Sequence, residues 1–154
     1  MKTRKATKAD IPVLNRLSDE VHKHISTVSG LHITKAQLKA EHIKSGKELR
    51  TDEYYVAEVD GKVIGCIIFG KKIEEDEWKG RYIELHHIIV SKEHQGEGIG
   101  KELFELVKKA ALKKKVNIRA DTNFENKFAI GFYEKMGFEQ FEITLLWRHR
   151  NERS

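Results

Sequence analysis

Cysteine occurs once, at Cys66, proline once, at Pro12, and no apolar run approaches the roughly 20 residues that a bilayer-spanning helix needs. A lone cysteine excludes an intrachain disulfide and any metal site built on several thiolates. It fits a reducing compartment, and because no secretory hydrophobic segment opens the sequence, the expected location is cytoplasmic. Cys66 lies inside Val63-Ile-Gly-Cys-Ile-Ile-Phe69, where a small buried side chain is the simplest role. Clustered metal ligands are scarce too. His86 and His87 are adjacent in a strand-like run, so their side chains should point to opposite faces, and His22 and His24 form only a loose pair. Neither a metal nor a membrane is expected.

Charge excess is also modest. The 29 Lys and Arg exceed the 24 Asp and Glu by five, which would welcome a phosphate-rich ligand or nucleic acid. The basic residues are interleaved with acidic ones, however, and the clearest cluster, Lys113-Lys-Lys115, falls where a helix should end. A nucleic-acid partner is therefore not the expectation. With 39% hydrophobic and 34% charged residues, the 154-residue chain has the make-up of one globular domain, 1–154, whose charged last residues, 148–154, should fray.

Residues 1–6 suit a short edge strand. Thr7-Lys-Ala-Asp10 then has the spacing of a helix-capping arrangement, and Ile11, Leu14, Leu17 and Val21 supply an apolar side, with Pro12 tolerated in the opening turn. Residues 22–33, rich in Ser and Thr and ending near Gly30, read as a loop or short turns. Thr34 and Gln37 cap a second helix, for which Gly46 offers a stop. Residues 54–59 and 62–69 form a hairpin about Asp60-Gly61, with Gly65 marking a bulge or close packing. Alternation in the next strand sets Leu85, His87 and Ile89 against Glu84, His86, Ile88 and Val90. A helix over 98–115, a strand over 116–120, a helix from Asn126 to a left-handed cap at Gly137, and a final strand over 138–147 complete the order.

The central feature is Val90, then Ser91-Lys-Glu-His94, then Gln95-Gly-Glu-Gly-Ile-Gly100 leading into the amphipathic helix. A helix begins with N–H groups that lack intrahelical partners, and glycines let an anion approach the main chain there, so a phosphate or pyrophosphate is the natural guest. Lys101 is followed by Glu102, not Ser or Thr, which argues against a Walker-type loop. The glycine spacing and the late position argue against a dinucleotide loop.

A hydrophobic strand ending in Val90, followed by Gln95-x-x-Gly98-x-Gly100 and a helix, resembles the central motif of the GNAT N-acetyltransferase superfamily. A second stretch, Asn126-Lys-Phe-Ala-Ile-Gly-Phe-Tyr133-Glu-Lys-Met-Gly137-Phe138, resembles the same family farther on. The resemblance is best over 54–138. It implies an α/β fold, a mixed, strongly curved central sheet with flanking helices, in which two strands split in a V to receive the pantetheine arm of acetyl-CoA.

The same resemblance implies a set of site residues. Main-chain groups of Ile88, Ile89 and Val90 would meet the pantetheine, and the backbone of Gln95, Gly96, Glu97, Gly98, Ile99, Gly100 and Lys101 the pyrophosphate. Asn126 would touch pantetheine, although helix capping explains it equally. Tyr133 would protonate the departing thiolate, with core packing as the alternative. Glu84 and His86 are candidate bases for the acceptor amine, each equally open to a structural hydrogen bond. Arg119 and Lys127 could reach phosphates or be ordinary surface cations. The expected reaction is direct attack of a primary amine of a small molecule or peptide on acetyl-CoA in a ternary complex; the alternative is a non-catalytic acyl-CoA sensor. Acidic groups at Glu74 to Glu77, Asp19 or Glu20 could attract a cationic acceptor. Exposed sheet edges and the terminal strand point to a homodimer.

Overall fold

The structure, a computed structural model, describes residues 1–147. The tail expected to fray, 148–154, lies outside the described residues. In chain order the elements are β1 (Lys2–Lys5), α1 (Ile11–Ser29), α2 (Lys35–Ala40), β2 (Asp52–Val59), β3 (Lys62–Gly70), β4 (Glu74–Asp76), β5 (Gly80–Val90), α3 (Ile99–Lys114), β6 (Asn117–Ala120) and α4 (Lys127–Lys135). They build one open, mixed sheet of six strands flanked by helices. β1, β2, β3 and β5 run antiparallel in that order, and β4 prolongs the β3 edge of β5. β6 runs parallel to β5 on the opposite edge: Leu85 has Phe69 on one side and Ala120 on the other.

Two apolar layers hold the sheet. On one face Leu103, Phe104 and Val107 of α3 pack against Ile67, Phe69, Ile83 and Leu85. On the other, Leu14 and Leu17 of α1 pack against Val56, Cys66 and Ile89. Cys66 is fully buried as expected, and burial pushes its thiol up to about 12.

Register is interrupted twice. Between β2 and β3, Ala57 faces Gly65 but Glu58 faces Val63, so Ile64 is an extra residue beside Gly65. Gly65 is also a close approach, since a Cβ there would lie 2.8 Å from the Ile89 carbonyl oxygen. Between β3 and β5, Ile68 faces His87 but Phe69 faces Leu85, which makes His86 a bulged residue. The bulge overturns the simple alternation along β5. Leu85 belongs to the α3 layer, yet Ile89, four positions later, belongs to the α1 layer, while Ile88 and Val90 pack on the α3 side.

Three other expectations are corrected. Residues 22–29, read as a loop, continue α1 to a left-handed cap at Gly30, φ 66°. Their hydroxyls do not break the helix because they bond back within it, Thr27 Oγ1 to the Lys23 carbonyl at 2.9 Å and Ser29 Oγ to that of Ile25 at 2.6 Å. α2 has its Thr34–Gln37 capping box but ends at Ala40, well before Gly46. Residues 138–147 alternate like a strand, yet no described strand pairs with them, and Ile143, Leu145 and Trp147 stay more than 80% exposed.

The entry to α1 is fastened by Asp10, which is buried. Its carboxylate accepts from Arg4 Nη1 at 2.8 Å and Nη2 at 3.0 Å, and from the Thr7 main-chain N–H at 2.7 Å, while Arg4 Nε donates to Glu58 at 2.8 Å. β1, β2 and α1 are thus tied through one guanidinium. The Arg4 hydrogen bonds hold the Asp10 carboxyl down to about 2, against an ordinary 3.8. A carboxyl depressed in the fold stabilises it above the unfolded value and loses that contribution as pH falls through the folded value. Asp10→Asn should therefore cost about 2 kcal/mol at pH 7, and the gap to the parent should narrow between pH 4 and pH 2. Urea unfolding at both ends of that window checks it; a gap unchanged at pH 2 would remove the ion pair as its cause.

Candidate functional site

β5 and β6 pair from Tyr82–Asn117 as far as Leu85–Ala120, and beyond that β5 runs on alone to Val90 along that edge among the described residues. This is the split that the sequence led us to expect. Which main-chain groups face it follows from the ladder on the other edge. The Ser91 N–H donates to the Ile64 carbonyl at 2.8 Å, and the Ile89 carbonyl lies against Gly65, so odd-numbered residues here bond toward β3. In an antiparallel ladder the intervening residues turn the other way, so Ile88 and Val90 present N–H and C=O to the open edge. Of the three residues expected to offer their main chain there, Ile89 is corrected: its main chain belongs to the sheet. Gln95 Nε2 donates to the Val90 carbonyl at 3.1 Å and folds the following loop back over the strand end.

The glycines of that loop do two different jobs. Gly96 and Gly98 both have φ +83°, and a Cβ built on either meets nothing within 4 Å. They are required by the turn and leave open space on its outer side. Gly100 has no such φ; a Cβ there would lie 3.0 Å from the Phe132 ring, so it allows α4 to pack against the start of α3. Ile99 is buried and anchors the turn, while the N–H groups of Ile99, Gly100 and Lys101 open α3 and have no intrahelical acceptor. Glu97 is held by His94 at 3.2 Å. The three N–H groups that open α3 sit at the positive end of a helix dipole, beside the open space at Gly96 and Gly98, an arrangement suited to a pyrophosphate.

α4 brings Tyr133 and Asn126 to the same side. Tyr133 packs between Phe132 and Phe138, with ring centroids 5.6 and 5.1 Å away, in contact with the α3 layer. Burial raises its phenol to about 12, so it remains protonated at neutral pH and able to donate. Asn126 is buried and its Oδ1 accepts from the Ala129 N–H at 3.3 Å, so it caps α4. Lys127 stacks on Phe124 at 3.6 Å.

Glu84 and His86 lie apart from that group and from each other's partners. Both oxygens of Glu84 accept from Arg119 Nη1 at 3.0 Å, which also commits Arg119 to the sheet instead of to phosphates. His86, on the bulge, has Nε2 3.7 Å from Asp52. It borders a cavity of about 200 Å³ on the α1 side of β5, together with Leu14, Tyr54, Asp52, His87 and Ile89. His87 was expected to point away from His86; the bulge puts both imidazoles on this cavity. Burial first, then the neighbouring His22 and His86, lower the His87 imidazole below its ordinary 6.5, while Glu41 opposes them, so it favours the neutral, proton-accepting form. The acidic residues singled out in the sequence do not border the cavity: Asp19 holds His42 at 2.7 Å, Glu20 holds Arg16 at 3.5 Å, and Glu74 belongs to β4. Sequence reasoning missed Asp52, Glu41 and His87, and only the bulge would have signalled the last.

With this geometry in place, comparison with known proteins narrows the reading. The sequence profile of the acetyltransferase (GNAT) family matches residues 25–138. An N-acetyltransferase of Methanocaldococcus jannaschii, named as uncharacterized, is 33% identical over 97 residues, 62% of this chain and 43% of that protein. Streptothricin acetyltransferase of Escherichia coli is 34% identical over 92 residues, 59% and 49% respectively. The aligned stretch thus spans less than half the length of either relative. Among solved structures, aminoglycoside N-acetyltransferase AAC(6')-Iy in complex with CoA superposes with a TM-score of 0.70 at 21% identity, over 97% of this chain and 94% of that one. The BH1408 protein of Bacillus halodurans gives 0.82 at 18%, over 97% and 99%. These two establish a shared fold.

The two kinds of glycine separate by mutation. Gly98→Val, which forces a branched side chain to φ +83°, should weaken acetyl-CoA binding about tenfold in a folded variant, read by isothermal titration. Gly100→Ala should instead cost about 1 kcal/mol of stability, and most of that cost should vanish in a Phe132→Leu background. Equal costs in both backgrounds would remove the close approach as its cause.

Proposed function

The chain belongs to the GNAT family of acetyltransferases, and from that membership we propose that it transfers an acetyl group from acetyl-CoA to a primary amine by direct attack while both are bound. The observation that carries this reading is the open edge of Ile88 and Val90 running into a loop with two left-handed glycines and then the unpaired N–H groups that open α3, a combination suited to a pyrophosphate. The CoA complex of the structurally similar aminoglycoside acetyltransferase supports the same use of the split here.

In this reading the pantetheine lies along the open edge of β5, and the loop from Gln95 to Lys101 holds the phosphates. An ammonium acceptor first gives one proton to a base beside the α1-side cavity, for which His86 and His87 are placed and Glu84, held by Arg119, is less available. The neutral nitrogen attacks the thioester carbonyl, and the Val90 N–H stabilises charge developing on its oxygen. The C–S bond then breaks as Tyr133 protonates the leaving thiolate, and the nitrogen's second proton passes through water to restore the Tyr133 phenol. No covalent enzyme intermediate is formed. The rival reading, a sensor that binds acyl-CoA without turnover, leaves the two imidazoles and Asp52 around an empty-handed cavity unexplained.

We place the protein in the cytoplasm, in keeping with its single buried thiol; no described helix is long and apolar enough to cross a membrane. The homodimer also belongs to this proposal. The exposed, alternating side chains of residues 138–147 would pair antiparallel with the same segment of a second copy. Light scattering on the full chain should return twice 17.9 kDa, and Leu145→Lys should return the single mass.

Acetyl transfer itself is tested by thiol release from acetyl-CoA across a panel of amines, with mass spectrometry of the product. Tyr133→Phe should lower kcat about 100-fold with acetyl-CoA affinity unchanged. Unaltered turnover would take Tyr133 out of the acid role, and absence of thiol release with every amine class would favour the sensor.

A further inference from the structure

The acceptor can be named more closely, on the footing that the transfer reading holds. The chain has more Lys and Arg than Asp and Glu, 29 against 24. The cavity beside β5 nevertheless carries Asp52 and Glu41 and neither a lysine nor an arginine. A second hollow of about 230 Å³ adjoins it at Glu41 and is bordered also by His22, Gln37, Ile33 and Leu38, again without a basic side chain of permanent charge. Its hydrogen-bonding sense is the same. His22 Nδ1 is 2.8 Å from the Ser18 carbonyl oxygen, which can only accept, so in the neutral ring the proton sits on Nδ1 and Nε2 is the acceptor. The first hollow therefore carries one carboxylate at Asp52 and another at Glu41, where the two hollows meet, with Leu14, Tyr54 and Ile89 between them as apolar wall.

Asp52 and Glu41 both line the first hollow, so a short aliphatic chain can span from one carboxylate to the other. We propose that the acceptor is an aliphatic amine bearing a second cationic group a few methylenes away, its reacting nitrogen beside Asp52 and the two imidazoles and its distal ammonium against Glu41. The step is the one already described: the nitrogen–carbonyl bond forms, the C–S bond breaks, and the distal ammonium keeps its protons throughout. Opposite charge at both ends raises the affinity of a doubly cationic chain and repels one that ends in a carboxylate.

The test uses 1,4-diaminobutane, butylamine and 4-aminobutanoate, each titrated calorimetrically into the full-length protein saturated with CoA and each assayed for thiol release from acetyl-CoA. The diamine should bind about tenfold more tightly than butylamine, and 4-aminobutanoate should bind most weakly. Glu41→Gln, at an exposed position where folding is not at stake, should erase most of the diamine's advantage and leave CoA affinity unchanged. Equal binding of diamine and butylamine, or a preference that survives in Glu41→Gln, overturns the proposal. Equal thiol release from all three would keep acetyl transfer and remove the cationic groove. The expected binding order with no thiol release at all would support the groove and remove acetyl transfer.

Discussion

One extra residue in β5 decides how the rest of the site is arranged. Side chains on a strand alternate with a period of two, so inserting a single residue exchanges the faces of everything beyond it. His86 is that residue. Before it, Ile83 and Leu85 face α3; after it, Ile89 faces α1 while Ile88 and Val90 take the α3 side. Without the bulge, His86 and His87 would be divided between the layers and the cavity would hold one imidazole. Gly65 on the neighbouring strand belongs to the same local geometry, because only a residue without Cβ lets the Ile89 carbonyl approach so closely.

The bulge region also separates the two edges of β5 chemically. Toward β3 the odd-numbered main-chain groups are used up in the sheet. Toward β6 the pairing ends at Leu85; the Val90 carbonyl accepts from Gln95 Nε2, and the Ile88 groups and the Val90 N–H face the open edge. A row of buried N–H and C=O groups without partners is costly, so such an edge is stable only where water or an extended ligand completes it. In the proposed function a pantetheine amide does so, much as an added strand would.

Much of this was legible in the sequence because it depends on local chemistry. Val90, Gly98 and Gly100 announced a strand, a tight turn and a helix; Thr34 with Gln37 announced a cap; Asp60-Gly61 announced a hairpin, and each is present. What was not legible depends on distant partners. Thr27 and Ser29 satisfy their hydroxyls inside α1 because α1 continues, which no local rule demands. Residues 138–147 read as a strand, but no described strand pairs with them. The bulge at His86 exists only relative to β3, so a reading of β5 alone assigned His87 to the wrong face.

This difference also explains why the acyl donor is easier to infer than the acceptor. The donor side is made of main chain, and main chain accepts it only where glycines occupy set positions, so its requirements are written as a motif. The acceptor side lies across the sheet, built from single side chains of α1, β2, β5 and the stretch after α2. Tyr133 packs against the α3 layer and the cavity approaches β5 from the α1 layer, so in the proposed mechanism leaving-group protonation and amine recognition occupy opposite faces. Substituting Glu41 or Asp52 changes the charge met by an acceptor without disturbing the loop at Gly98. On the proposed function the sheet lets acceptor preference vary while the grip on the thioester stays fixed, and the cavity's own charge, not the motif, is the place where that preference has to be sought.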